Sequence, residues 1–115
     1  MQFDHLTITL LILRSDAPQL SEEAAAALQN AHVAHIADLH EAGYLVASGP
    51  LPDARFRGLS VFTIGPEQTR ALMEQDPAVC AGRFSVEIMS WLVPAGAMAF
   101  FPVHFPRSMA EAEGD

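Results

Sequence analysis

The chain has 115 residues, with fourteen acidic residues against six basic ones and a net charge of −8. All six basic residues are arginine, and the absence of lysine excludes a Schiff-base lysine, a lysine-held pyridoxal phosphate and a Walker-A lysine on a nucleotide phosphate. The acid surplus argues against nucleic acid, and the single Cys80 excludes an internal disulfide, a CxxC redox pair and a cysteine-rich zinc site.

Half the residues are hydrophobic, enough for one folded domain of this length. The apolar run Leu6 to Leu13 is far shorter than the roughly 20 residues a helix needs to cross a bilayer. Asp4 precedes it where a signal peptide would carry basic residues, so a cytoplasmic location is expected. A first strand is expected from Phe3 to Arg14. Its even positions, Leu6, Ile8, Leu10 and Ile12, form one apolar face, whereas the odd positions begin polar at His5, Thr7 and Thr9 and turn apolar at Leu11 and Leu13. A half-polar second face suggests that a cavity or a partner chain lies against it.

Asp16-Ala17-Pro18 breaks the strand, and a long helix is expected to start near Ser21 as N-cap, with Glu22 and Glu23 favourably placed in the first turn. The helix should end at Gly43. A second strand, Tyr44 to Ser48, stops at Gly49-Pro50. A loop with Asp53, Arg55 and Arg57 leads to a third strand, Leu59 to Ile64. Pro66 opens a shorter helix through Gln75. Asp76-Pro77 starts a short turn, and a fourth strand runs from Arg83 to Val93. This β-α-β-β-α-β order predicts an α+β, ferredoxin-like fold with a four-stranded antiparallel sheet and both helices on one face. The fourth strand is apolar on both parities, which predicts a homodimer with sheets face to face. Residues 1–94 read as the domain and 95–115 as a C-terminal extension, mobile from Arg107 onward.

On a helical wheel at about 100° per residue, Leu28, His32, His35 and Leu39 fall within about 60° of one another on the apolar stripe of the long helix, while His40 falls on the polar side. Three readings of the two inward histidines stand open. They are hydrogen-bonded core groups, or a general acid and base in a partly dry pocket. Or they are metal ligands, although His32-Val33-Ala34-His35 lacks the acid of HExxH and only His5 or Asp76 offers a third ligand. Asp76 projects from the inner side of the second helix. It reads as the N-cap of the next turn, as a partner for a histidine, or as both. Gly49 suits a positive φ, a close backbone approach or a plain turn. The loop arginines are surface charges or receive an anionic substrate. Cys80, with no basic neighbour, reads as a small buried hydrophobe.

The run His32 to Gly43, then Ser48-Gly49-Pro50-Leu51, then Asp76-Pro77 followed by Ala81-Gly82, resembles the YciI-like (YCII-related) proteins over residues 3 to 94. The resemblance implies a ferredoxin-like domain dimerised into an α+β barrel. It also implies an active site built from His32, eleven residues before Gly43, and Asp76. This chain departs from the commoner family form at His35, in its short second helix and in the extension with Phe100, Phe101 and Phe105. The family includes a dehydrochlorinase acting on a chlorinated hydroxyquinol, and relatives of the fold include muconolactone isomerases and polyketide cyclases.

Two functions are therefore expected. One is a cofactor-independent lyase or isomerase of dehydrochlorinase type acting on a small cyclic or aromatic molecule. In that reading His32 and Asp76 are catalytic, and His35, Ser48, Gly49, Pro50 and Arg55 bind the substrate. The other is a non-catalytic small-ligand-binding or structural dimeric module. Neither calls for a resident metal or cofactor, a membrane or a nucleic-acid partner.

Overall fold

The computed structural model describes residues 1–114. Strand β1 spans Phe3–Leu13 and helix α1 spans Glu22–Glu41. The hydroxyl of Ser21 accepts the amide of Ala24 at 3.1 Å, satisfying one free N–H of the helix start. Gly43, with φ of 86°, takes the left-handed step that ends the helix. Strands β2 (Leu45–Pro50) and β3 (Phe56–Phe62) follow, then helices α2 (Pro66–Met73) and α3 (Pro77–Cys80), strand β4 (Phe84–Pro94) and a short helix α4 (Met109–Glu113).

The sheet order is β2-β3-β1-β4 with every neighbouring pair antiparallel, the ferredoxin-like arrangement. Several boundaries shift by one to three residues, and two of the shifts have identifiable reasons. Strand β2 continues through Gly49 and Pro50 because it is an edge strand, where a proline without an N–H is tolerated. Strand β3 begins at Phe56 rather than Leu59 because the Asp53 carboxylate accepts the amides of Arg55 and Phe56, closing the turn and delivering the chain to the sheet at once.

The odd positions of β1 face the helices. Leu11 sits in a core with Ile36, Leu39, Leu45, Phe62, Met73, Ala78 and Phe84. The polar half of this face is accommodated by hydrogen bonding. Thr7 donates to the carbonyl of Ile64 at 2.6 Å, while Thr9, also buried, has no partner for its hydroxyl among the described residues. The even positions form the other face, where Leu6 joins Val61 and Val93, with Ile8, Val46, Ala47 and Phe100 against them. Leu59, Met89 and Trp91 remain substantially exposed there.

Cys80 corrects an expectation: it is exposed, not buried. It ends α3, whose inward position is taken by Ala78, and its thiol lies 3.2 Å from the carbonyl of Glu74. Among the described residues no helix is long and apolar enough to cross a membrane.

The stretch from Arg107, expected as a mobile tail, carries α4 and touches α1. Arg107 reaches Asp38 and Glu41, and the amide of Met109 donates to the Asn30 side chain at 2.8 Å. Glu111 is held below the ordinary glutamate range, first by its hydrogen bond with His104 and then by the amide of Arg107. Each exposed ion pair contributes little alone.

Candidate active site

Helix α1 crosses the sheet so that His32 faces the start of α3. Asp76 caps that short helix: one carboxylate oxygen accepts the amide of Ala78 at 2.8 Å. The other lies 2.6 Å from Nδ1 of His32. Asp76 is fully buried, whereas the His32 side chain keeps 14 % of its exposure. A buried carboxylate needs its oxygens satisfied, and here the cap and the imidazole each take one. In the tautomer that gives this contact a proton, Nδ1–H donates to Asp76 and Nε2 carries the free lone pair. The ring stands edge-on to Phe84, with centroids 6.2 Å apart.

His32 lines a cavity of about 350 Å³ between α1 and the helix-facing side of β2 and β3. Ser48, Gly49 and Pro50 line it too, together with Leu11, Ser60, Arg57 and Arg83. Ser48 and Ser60 meet at 2.8 Å through their hydroxyls. The outer wall comes from the C-terminal extension, through Phe105, Pro106, Met109 and Ala112. The volume is at the lower end for small-molecule sites and suits a single-ring compound.

Two expected binding residues lie elsewhere. His35 does not line the cavity. Its Nε2 lies 3.0 Å from the carbonyl of Leu72, tying α1 to α2, because three residues along a helix turn the side chain by about 60° away from His32. Arg55 is exposed, with its guanidinium 5.1 Å from the centre of the Phe56 ring; Arg57 lines the cavity instead, as the extra residue where β3 shifts register between Phe56 and Gly58 against β1. Gly49 has neither a positive φ nor a close neighbour, since it continues the edge strand.

His40, placed on the polar side by the wheel, is engaged rather than solvated. Its Nδ1 lies 2.7 Å from the carbonyl of Leu45, its Nε2 lies 2.9 Å from that of Val103, and its ring stacks on Phe105 with centroids 3.7 Å apart. Arg83, Gln29 and Met109 were not legible as site residues, since no local pattern marks them. Phe105 had a weak signal as part of an aromatic extension with no place in the four strands.

Residues 8–92 match the sequence profile of the YCII-related domain, most of the chain. The chain belongs to the YCII-related family. Among solved structures it is similar to 5-chloro-2-hydroxyhydroquinone dehydrochlorinase from Burkholderia phenoliruptrix, in complex with 2,5-dihydroxybenzoquinone. That likeness has a TM-score of 0.55 at 19% identity and covers 75% of this chain and 92% of the other, so it speaks for the fold. No curated protein matches. The family match ends before the extension, so the outer wall of the cavity lies outside the matched domain. Among the described residues, no group of three or more His, Cys, Asp or Glu side chains is arranged to hold a metal ion.

Proposed function

We propose that this YCII-related protein is a cofactor-independent lyase or isomerase acting on a small cyclic or aromatic molecule, with His32 and Asp76 as its catalytic pair. The observation that carries this reading is the 2.6 Å contact between a fully buried carboxylate and an imidazole on the wall of a one-ring cavity. Asp76 fixes the tautomer in which Nε2 of His32 is the base, and it stabilises the imidazolium formed when that nitrogen takes a proton. In a lyase the proton leaves as the adjacent group departs. In an isomerase it returns to a different atom. The structural neighbour, a dehydrochlorinase holding a one-ring quinone, supports both the reaction class and the substrate size. Ser48, Gly49 and Pro50 would contact the ring from the sheet side.

His32→Gln tests the assignment. The variant should fold normally and lose at least about a hundredfold in turnover of a substrate found by screening single-ring compounds, the lower range for a general acid–base group. Turnover at the wild-type rate would remove His32 from the chemistry.

The partner we propose is a second copy of the chain, seated on the open sheet face. Leu59, Met89 and Trp91 are 36%, 39% and 38% exposed there, beside the partly covered Ile8. Trp91→Glu places a charge on the β4 side of that face, opposite Leu6. Light scattering should show a dimer for the wild type and a monomer for the variant at micromolar concentration. A wild-type monomer would contradict this partner.

A further inference from the structure

The arginines divide into two groups. Arg14 pairs with Asp16, Arg70 with Glu74, and Arg107 with Asp38 and Glu41. Arg55 lies over its neighbour Phe56 on the surface. Arg57 and Arg83 remain. Both are half-buried, both line the cavity, and neither has a carboxylate within 4 Å among the described residues. The Asp53 carboxyl is held below the ordinary aspartate range first by the amides of Phe56 and Arg55, both donating to its Oδ2, and least by the charge of Arg57.

No acidic residue lines the cavity; its uncharged polar side chains are Gln29, Ser48 and Ser60. Asp76 stands behind His32 with both oxygens engaged. In a chain with a net charge of −8, this cavity therefore collects two cations that form no salt bridge among the described residues. Half-burying a guanidinium without a counter-charge is unfavourable, and a planar anionic group offers the bidentate partner that its fork of donors fits. The placement also suits chemistry at His32. The Arg83 guanidinium carbon lies 5.1 Å from the centre of the Phe84 ring, and that ring in turn meets His32 edge-on. An anion held by Arg83 would thus share the Phe84 ring with the imidazole as a common neighbour.

We infer that the cavity takes a small ring compound that is an anion at neutral pH, its carboxylate or ionised phenolic oxygen held by Arg57 and Arg83 while the ring lies against Phe84 and reaches His32. The inference deepens the function proposed above and rests on its placing of the reaction in this cavity. Arg57 and Arg83 would be substrate-binding groups that fix the ring's orientation.

Benzoate and its neutral isostere benzamide separate charge recognition from shape, with binding followed by amide shifts in two-dimensional NMR. Benzoate should bind in the millimolar range or tighter, moving the amides of Ser48, Gly49 and Phe84, and benzamide should bind at least about tenfold more weakly. Arg57→Gln and Arg83→Gln should each weaken benzoate about tenfold and leave benzamide unchanged, which also reports that the cavity is intact. His32→Gln should keep benzoate binding. Equal binding of the two probes, full benzoate affinity in both arginine variants, or no benzoate binding at 10 millimolar (a roughly −3 kcal/mol threshold) would each overturn the inference. Because no arm requires turnover, a failed catalytic role for His32 and a failed anion site give different results.

Discussion

Asp76→Asn is expected to leave the protein folded while lowering turnover about 10³- to 10⁴-fold. The asparagine carbonyl oxygen can still accept the amide of Ala78, so the start of α3 keeps its cap. What changes is the other arm. Its amide nitrogen would now face Nδ1 of His32, and two N–H groups cannot donate to each other. The imidazole must then hold its proton on Nε2, the nitrogen that the mechanism needs free. Nitrogen NMR of His32 reads this without any substrate: Nδ1–H in the wild type, Nε2–H in the variant. Asp76→Ala is expected to act on stability instead. It removes a cap worth about 1 kcal/mol and leaves the half-buried Nδ1–H unpaired at about 1–3 kcal/mol. Together these predict a loss of about 3 kcal/mol, measured by urea unfolding. An Asp76→Asn protein with the wild-type tautomer and full turnover would defeat the assignment.

How much of this site was legible in the sequence follows from the range of each interaction. The spacing of His32 and Asp76 could be read because each sits at a local landmark: one on the apolar stripe of an alanine-rich helix, the other before a proline that starts a turn. The half-polar face of β1 likewise announced something other than plain core, and the cavity lies over that face, with Leu11 and Ser60 in its floor. His35 was misread as a cavity residue because a wheel gives a direction and not a partner. It lies on the inward side, but what it meets is α2. His40 and Arg83 were missed for a related reason. The contact of His40 with Val103 spans 63 residues, and Arg83 reaches the cavity only because β4 pairs with β1 along its whole length, bringing Phe84 opposite Leu13. Such long-range pairings leave no mark on the residues next to them. The missing lysine, by contrast, was informative from the start, since it makes every cation in the cavity an arginine.

Cutting the chain after Pro102 is expected to open the site. This removes Phe105, Pro106, Met109 and Ala112 from the cavity wall, yet keeps Phe100 against Leu6, Val61 and Val93 on the other sheet face. Water would then enter beside His32, and a bound ring would lose its outer apolar contact. The expected cost is about 10- to 100-fold in kcat/KM, carried mainly by KM, with benzoate leaving faster. The domain itself should still fold, because most of the core between sheet and helices is supplied before Pro94. Acid should loosen the same wall in the intact protein. The carboxyl of Glu111 is depressed by His104 and the Arg107 amide, so its contribution is fully present above the ordinary glutamate range. It is lost as pH falls through the depressed value, when the protonated carboxyl no longer attracts His104. Hydrogen exchange on α4 and on the α1 amides near Asn30 should therefore quicken at acid pH before the sheet amides respond. If the shortened chain kept the wild-type KM and benzoate off-rate, the extension would be excluded as a wall of the working site.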